Sequence, residues 1–452
     1  MKLHSMFICV CVMTGFLAMP APVHADWETN VGIIQGSQEN GFQDMVLDGS
    51  GNAHFVWSDM NYVFNPHTTQ FEVHWYTWYA MWHKIGGLFS PQVKLGETNG
   101  HHCATQPSLT FSDDGILHVV WSASPWSDQN WGAEKRKIMY TRKFTNEMWQ
   151  PAPVQISPYW YYYYGATSQC MLPQVLTHGN EVHVIWYGRP TTQHVHNYLD
   201  VFWNHSLNSG RNWAYGQDGY NVTGPPDTGV WALHKCWKQR AVIAPDGDIF
   251  LVYQSDYKYI SEEIPGNEEY HWNVIAYREY DGSWSGEELL MAPNWADHNW
   301  YAGPEISYTT ESGSYIPHVI YNYEPVAGTD YEADYDIHLN YRDPAIGWKN
   351  DQMIFSDPWH RKFKHAFHIN ENNEMLATIC KNDLYGVIFP FPLHTTPWVV
   401  DWDIGDTYNP SGYSSVIKYF TSDSKWYVNF PDESDSGQGQ ELHLSRGNPE
   451  PS

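Results

Sequence analysis

Arginine is scarce in this chain and none occurs before Arg136, so Arg189 stands out where it falls. It sits in Trp186-Tyr187-Gly188-Arg189-Pro190, at the end of a predicted strand. A guanidinium fixed there would clamp a carboxylate or sulfate through two parallel hydrogen bonds. Its plainer reading is an ordinary surface cation. Arg240, shortly past Cys236, is the second such candidate, with a structural ion pair as the alternative. Cys103, Cys170 and Cys236 recur at nearly equal spacing, preceded by His101-His102, Ser168-Gln169 and His234-Lys235. They therefore occupy equivalent places in successive units and bring imidazoles, an amide and an ammonium to one level. For the cysteines themselves, packing about an axis competes with a disulfide or metal role. The run Tyr159-Trp160-Tyr161-Tyr162-Tyr163-Tyr164, together with Tyr187, Trp126, Trp131, Trp295 and Trp300 near predicted loops, offers flat aromatic surfaces. Exposed rings of this kind stack on sugars, with phenols left to bond hydroxyls; edge packing is the bland alternative.

A repeated unit must position these groups. A Gly/Asp/Asn turn followed by a strand ending in an aromatic residue appears as Gly51-Asn52-Ala53-His54-Phe55-Val56-Trp57, as Gly115-Ile116-Leu117-His118-Val119-Val120-Trp121 and as Gly179-Asn180-Glu181-Val182-His183-Val184-Ile185-Trp186. It returns as Asp248-Ile249-Phe250-Leu251-Val252-Tyr253 and Tyr315-Ile316-Pro317-His318-Val319-Ile320-Tyr321, and more weakly around Met375-Ala377-Ile379 and Lys425-Tyr427-Asn429. Flanking alternating segments complete four strands per unit; in the second these are Pro107 to Phe111, Leu117 to Ser122, Ile138 to Phe144 and Val154 to Ile156. The last unit, Ser415 to Phe420, Trp426 to Phe430 and Glu441 to Ser445, is one strand short, and Trp27 to Ile34 would supply it. The expected fold is all-β: a single seven-bladed β-propeller over residues 26–452, with four-stranded antiparallel blades and a ring closed by the mature N-terminal strand. The segments after the second strands, from Ser122, Gly188, Gln254 and Tyr323, read as long loops on one rim, where function concentrates.

Composition closes off other classes. Asp and Glu number 51 against 24 Lys and Arg, a formal net charge of -27, which argues against binding a phosphate backbone by counterion release. Aromatic residues at 16% do not suit a disordered chain. Residues 1–25, with Lys2, an apolar run from Met6 to Met19 and Val23-His24-Ala25 before Asp26, read as a cleaved secretory signal. No later run has the length of a membrane helix. The mature chain is thus expected to be secreted, to bind neither nucleic acid nor membrane and to be monomeric. Its four remaining cysteines, Cys103, Cys170, Cys236 and Cys380, would lie in an oxidising compartment.

One turn carries a family signature. Ser206-Leu207-Asn208-Ser209-Gly210-Arg211-Asn212-Trp213 matches the Ser-x-Asp/Asn-x-Gly-x-x-Trp pattern of the Asp-box, or bacterial neuraminidase repeat. With the seven repeated units, the chain resembles the propeller polysaccharide lyases of the ulvan-lyase type, across the whole mature chain in architecture and by short motifs in detail. The resemblance implies β-elimination at a uronic acid in an anionic polysaccharide. It implies His102 at the start of one inner strand, Tyr163 or Tyr164 one blade on and Arg189 at that blade's second-strand end as the catalytic group; His101, Tyr163, Tyr187, Lys235, Arg240, Trp126 and Trp300, read from the strand starts and rim loops, are the candidate substrate-binding residues. The group often has a further His where this chain reads Trp121-Ser122-Ala123-Ser124; His101 is the available substitute. A structural zinc is also implied, with His194, His234 and Cys236 as ligands by type; no organic cofactor is expected. In the elimination a cation neutralises the uronate and its developing enolate, which suits Arg189, while a base and an acid are shared between His102 and Tyr164. A sialidase is disfavoured by the lack of an early arginine. A rhamnosidase-like hydrolase using Asp59, Asp256 and Asp336 and a non-catalytic sugar-binding propeller are the competing readings.

Overall fold

In the computed structural model the described residues are 26–37, 39–65, 69–99, 106–123, 135–157, 160–161, 172–188, 200–223, 235–259, 270–290, 303–323, 335–357, 364–380, 384–389, 398–400, 416–433 and 440–448. Among them every regular element is a strand, and the strands form seven antiparallel sheets. The first sheet runs Glu39–Leu47, Ala53–Asn65 and Gln70–His83, and its outer position is divided between Leu88–Phe89 and Val93–Asn99. Pro91 lies at the division and has no N–H to give to the ladder. The second sheet comprises Ser108–Phe111, Leu117–Ala123 and Lys135–Lys143, with Val154–Gln155 and Trp160–Tyr161 outside. The third is Gln174–His178, Glu181–Gly188, Asp200–Ser206 and Tyr220–Asn221; the fourth is Lys235–Ile243, Ile249–Tyr259, Tyr270–Tyr280 and Glu288–Leu289. The fifth is Glu305–Glu311, Ser314–Tyr323, Tyr335–Asp343 and Gly347–Asp357; the sixth is Lys364–Ile369, Met375–Cys380, Leu384–Phe389 and Trp398–Val400. In the seventh, Val416–Phe420, Lys425–Glu433 and Gln440–Asn448 are joined by the N-terminal strand Asp26–Ser37, which pairs Asp26 with Asn448. One expected loop is shorter than the sequence suggests, because the strand through Gln254 continues to Tyr259.

The architecture is consistent with a propeller. First strands of consecutive sheets touch one another in order, and that of the seventh touches that of the first. The core lies between sheets: Val120, Ile138 and Tyr140 of the second pack on Val182, Val184 and Trp186 of the third, and Tyr427 and Leu444 of the seventh pack on Phe55 and Trp57 of the first. The repeat aromatics Trp57, Trp121, Trp186, Tyr253 and Tyr321 are all buried, so the recurring end of each second strand is a core device.

A second device recurs between neighbours. Trp213 meets Tyr140 of the preceding sheet edge-on, with ring centroids 4.9 Å apart. Trp149 does the same to Tyr79 at 5.0 Å, and Trp348 to Tyr277 at 4.9 Å. Trp149 and Trp213 come from the turn after a third strand and Trp348 from the start of the following fourth strand; each plugs the space beside the sheet before it, in the edge-to-face geometry that aromatic rings favour. The Ser206 to Trp213 turn is held as its sequence implies: the Gly210 amide donates to Ser206 Oγ at 3.0 Å and the Asn212 amide to Asn208 Oδ1 at 2.9 Å.

The second strands also bury a histidine three residues before the aromatic in four sheets: His54, His118, His183 and His318. His118 Nδ1 lies 2.7 Å from Tyr140 Oη and its Nε2 lies 2.8 Å from Ser112 Oγ; His54 Nδ1 lies 2.7 Å from Tyr79 Oη. Burial lowers the imidazoles of His54, His118 and His183, taking His118 down to about 4 and His183 to about 3 from an ordinary 6.5. The unfolded chain therefore binds more protons than the folded one below about pH 6.5, and stability falls as pH drops toward about 4. Asp200 acts in the opposite sense, since burial raises its carboxyl to about 6, but the histidines outnumber it. Urea midpoints measured between neutral pH and about pH 4.5 are expected to fall, by on the order of 2 kcal/mol for each such imidazole. His118→Gln should flatten the profile; a flat profile in the parent chain would contradict the account.

Candidate functional site at the first-strand starts

Asp44, Ser108, Gln174, Arg240 and Glu305 stand opposite Val56, Val120, Ile185, Val252 and Ile320. Each of those partners is the aliphatic residue just before the repeat aromatic, so the five polar residues share one level of five consecutive first strands. They stitch the sheets together. Ser108 Oγ donates to Asp44 Oδ2 at 2.8 Å, and the Val175 amide donates to Ser108 Oγ at 3.3 Å. Gln174 bonds both ways with the Ala241 backbone, at 2.7 and 2.8 Å. Arg240 Nε donates to Glu305 Oε1 at 2.8 Å and its Nη1 to the Gln239 carbonyl at 3.1 Å. Burial pushes the Glu305 carboxyl upward while Arg240 pulls it down. His365, on the sixth sheet's first strand, is buried and lowered to about 4, first by burial and then by the charge of Arg240. The expected substrate residue Arg240 is thus engaged with Glu305 in this level.

Just beyond it the first strands bend. Lys238 has φ 50 and Gln106 has φ 48, a left-handed conformation uncommon for such residues, and the ladder shifts register between Trp237 and Arg240. Such bulges re-aim neighbouring side chains and often border functional sites. A Cβ on Gly303 would come within 2.8 Å of Lys238 Cβ, so glycine permits the fifth sheet's close approach. The Gln106 amide donates to Ser58 Oγ at 3.1 Å, the Leu172 amide donates to Gln106 Oε1 at 2.9 Å, and Gln239 Nε2 donates to the Leu172 carbonyl. Four sheets are tied at this rim. Tyr187 is buried and packs against Leu172.

His101, His102, Tyr163, Tyr164, Arg189, Trp126, Trp300, His194 and His234 lie outside the described residues, as do Trp131 and Trp295. The points from which their segments run are described. Gln106 follows His102 closely, Leu172 follows Tyr164, and Gly188 directly precedes Arg189. Lys235 and Cys236 open the fourth sheet's first strand, with backbones opposite Asp256 and Ser255. Of the acids weighed for hydrolysis, Asp59 accepts from Asn61 Nδ2 at 2.9 Å, and Asp336 lies in a third strand opposite Tyr323. Among the described residues no three His, Cys, Asp or Glu side chains come together as a metal site. The sequence reading missed the shared level through Asp44 and Glu305, whose only signal is the spacing also shown by the cysteines.

No family model matches the sequence, and no curated protein matches it. Among solved structures, the chain is similar to the polysaccharide lyase Uly1, with a TM-score of 0.56 at 11% identity over 95% of this chain and 100% of that one. It is similar to a lectin from Burkholderia pseudomallei, with a TM-score of 0.52 at 13% identity over 91% and 98%. An α-L-arabinofuranosidase from Fusarium graminearum aligns over 94% and 98% at 10% identity, with a TM-score of 0.46. The likenesses to the lyase and the lectin show a shared fold.

Proposed function

We propose that the chain is a secreted polysaccharide lyase that cleaves a uronic-acid-containing, ulvan-like polysaccharide by β-elimination. Its seven sheets are the blades of one closed ring over residues 26–452, completed by the N-terminal strand, and residues 1–25 are its signal; the enzyme acts as a monomer. The observation that carries this reading is the contact between Gln106 and Leu172, with Tyr187 packed on Leu172. It gathers the described ends of the three segments that hold His102, Tyr164 and Arg189. The fold shared with a polysaccharide lyase supports it.

In the proposed step Arg189 binds the uronate carboxylate and stabilises the enolate-like charge that develops as the C5 proton leaves. His102 and Tyr164 divide the roles of base and acid: one takes the proton, the C5 electrons form the C4–C5 double bond, the C4–O bond breaks, and the other protonates the departing oxygen. Tyrosine needs a nearby cation to act as base, since its ordinary pKa is about 10. His194, His234 and Cys236 are the proposed zinc ligands, and the metal's part would be to tie segments together.

The test is to incubate the mature chain with ulvan and with polygalacturonate and to follow the ultraviolet absorbance of unsaturated uronate. A rise is expected with a uronate polymer. New reducing ends without that absorbance would favour a hydrolase. Binding without product would favour a sugar-binding protein, a reading supported by the fold shared with a lectin.

A further inference from the structure

The second and third strands of the first sheet continue past their neighbours as a two-stranded ribbon. Among the described residues the first strand pairs with the second no further than Glu39 opposite Met60, and the outer strand with the third no further than Asn99 opposite His74, while the second strand runs on to Asn65. Pairing persists to Asn65 opposite Gln70. Alternate residues share a face, so Ser58, Tyr62 and Phe64 lie on one side, with Thr77 and Phe71 as the partners of Ser58 and Phe64. At the base this face is buried, through Ser58, Trp75 and Thr77. Toward the tip it is open: Tyr62 is 53%, Phe64 50% and Phe71 65% exposed. The Phe64 and Phe71 rings meet edge to face with centroids 5.4 Å apart. Ser58 fixes which way the face looks, because its Oγ accepts from the Gln106 amide, at the described end of the segment carrying His102.

We infer that this face is a carbohydrate platform, on which pyranose rings of the anionic polysaccharide stack as the polymer approaches the site. The inference rests on the proposed function and assigns it a binding surface. Three large aromatic side chains, each about 150–250 Å² when whole and roughly half exposed here, present on the order of 300 Å². A stable protein partner needs about 800 Å² per side, so a narrow ribbon suits a single linear polymer better. From Ser58 to Phe64 it rises about 20 Å at ordinary strand spacing. Tyr62, Phe64 and Phe71 carry no charge, in a chain of net charge -27; a polyanion meets less repulsion there than on an acidic surface.

The test compares the mature chain with the Phe64→Ser/Phe71→Ser double variant, and with Phe71→Ser alone in case the double variant folds poorly. Two measurements are made: retardation in native gels containing ulvan, and elimination kinetics on ulvan. Retardation is expected to weaken roughly tenfold in the double variant, with KM raised accordingly and kcat unchanged. Unchanged retardation and KM would overturn the platform and leave the lyase reading standing. Should the parent chain form no unsaturated uronate, yet lose its retardation on substitution, the platform stands and the lyase reading falls. A parent chain that ulvan does not retard overturns the platform. So does a shift from dimer to monomer in the variants with retardation intact, which would assign the face to contact between copies.

Discussion

In Arg189→Ala the proposed formation of unsaturated uronate is expected to drop by roughly 100- to 1,000-fold, the loss that follows when one preorganised donor to a developing anion is removed. The reason lies in the chemistry. A uronate already carries a negative carboxylate, so taking the adjacent proton adds charge to a group that resists it, and a fixed guanidinium is the means of offsetting both. Arg189→Lys keeps the charge and loses the planar fork, so it recovers only part of the activity. In His102→Ala the expected loss is about 100- to 10,000-fold, as for removal of a general acid or base. Initial rates on ulvan at saturating polymer, with matched circular dichroism, decide the matter. Wild-type turnover in either alanine variant would remove that residue from the mechanism.

The largest stability effect is expected at Gly210. Its φ of 75 lies in the left-handed region, and an added Cβ would come within 1.8 Å of Tyr140 Oη. That phenol has no room to retreat: it bonds His118 Nδ1 at 2.7 Å, and its ring is wedged edge-on against Trp213. Gly210→Ala therefore combines backbone strain of about 1–2 kcal/mol with overpacking of about 1–3 kcal/mol, for a total near 3 kcal/mol. Gly179→Ala is the control. It also has positive φ, at 57, but nothing lies within 4 Å of its added Cβ, so only the strain of about 1 kcal/mol remains. Urea midpoints for the two variants should differ clearly. Equal losses would show that the Tyr140 contact relaxes without cost.

The sheets were legible because one local rule repeats: a turn residue that tolerates positive φ, then alternating apolar residues, then a large aromatic. Strand positions read from the second unit fall on Ser108–Phe111, Leu117–Ala123, Lys135–Lys143 and Val154–Gln155. The plugging tryptophans were legible only at Trp213, where the turn keeps its full signature. Trp149, from a turn of different composition, and Trp348, at the start of a fourth strand, fill the same role, so geometry preserves what the motif loses. His54 and His118 were visible as letters of the repeat, but nothing local shows that the neighbouring strand supplies the phenol each one meets. The level formed by Asp44, Ser108, Gln174, Arg240 and Glu305 shares position without chemistry, and a row of unlike side chains has no sequence pattern beyond its spacing. The ribbon aromatics were missed for a related reason, since alternation in Tyr62 and Phe64 reads as core until the strand is seen to outrun its neighbours.

The pairing of Asp26 with Asn448 sets a timetable for biosynthesis. In the other six sheets the strands come from one contiguous stretch, so each can assemble while later residues are still being made. The seventh cannot: Asp26–Ser37 is made long before Gln440–Asn448, with its backbone donors and acceptors open to unrelated edges in the meantime. So distant a contact is slow to find. The step expected to be slowest and most exposed to aggregation is therefore the pairing of these two distant strands.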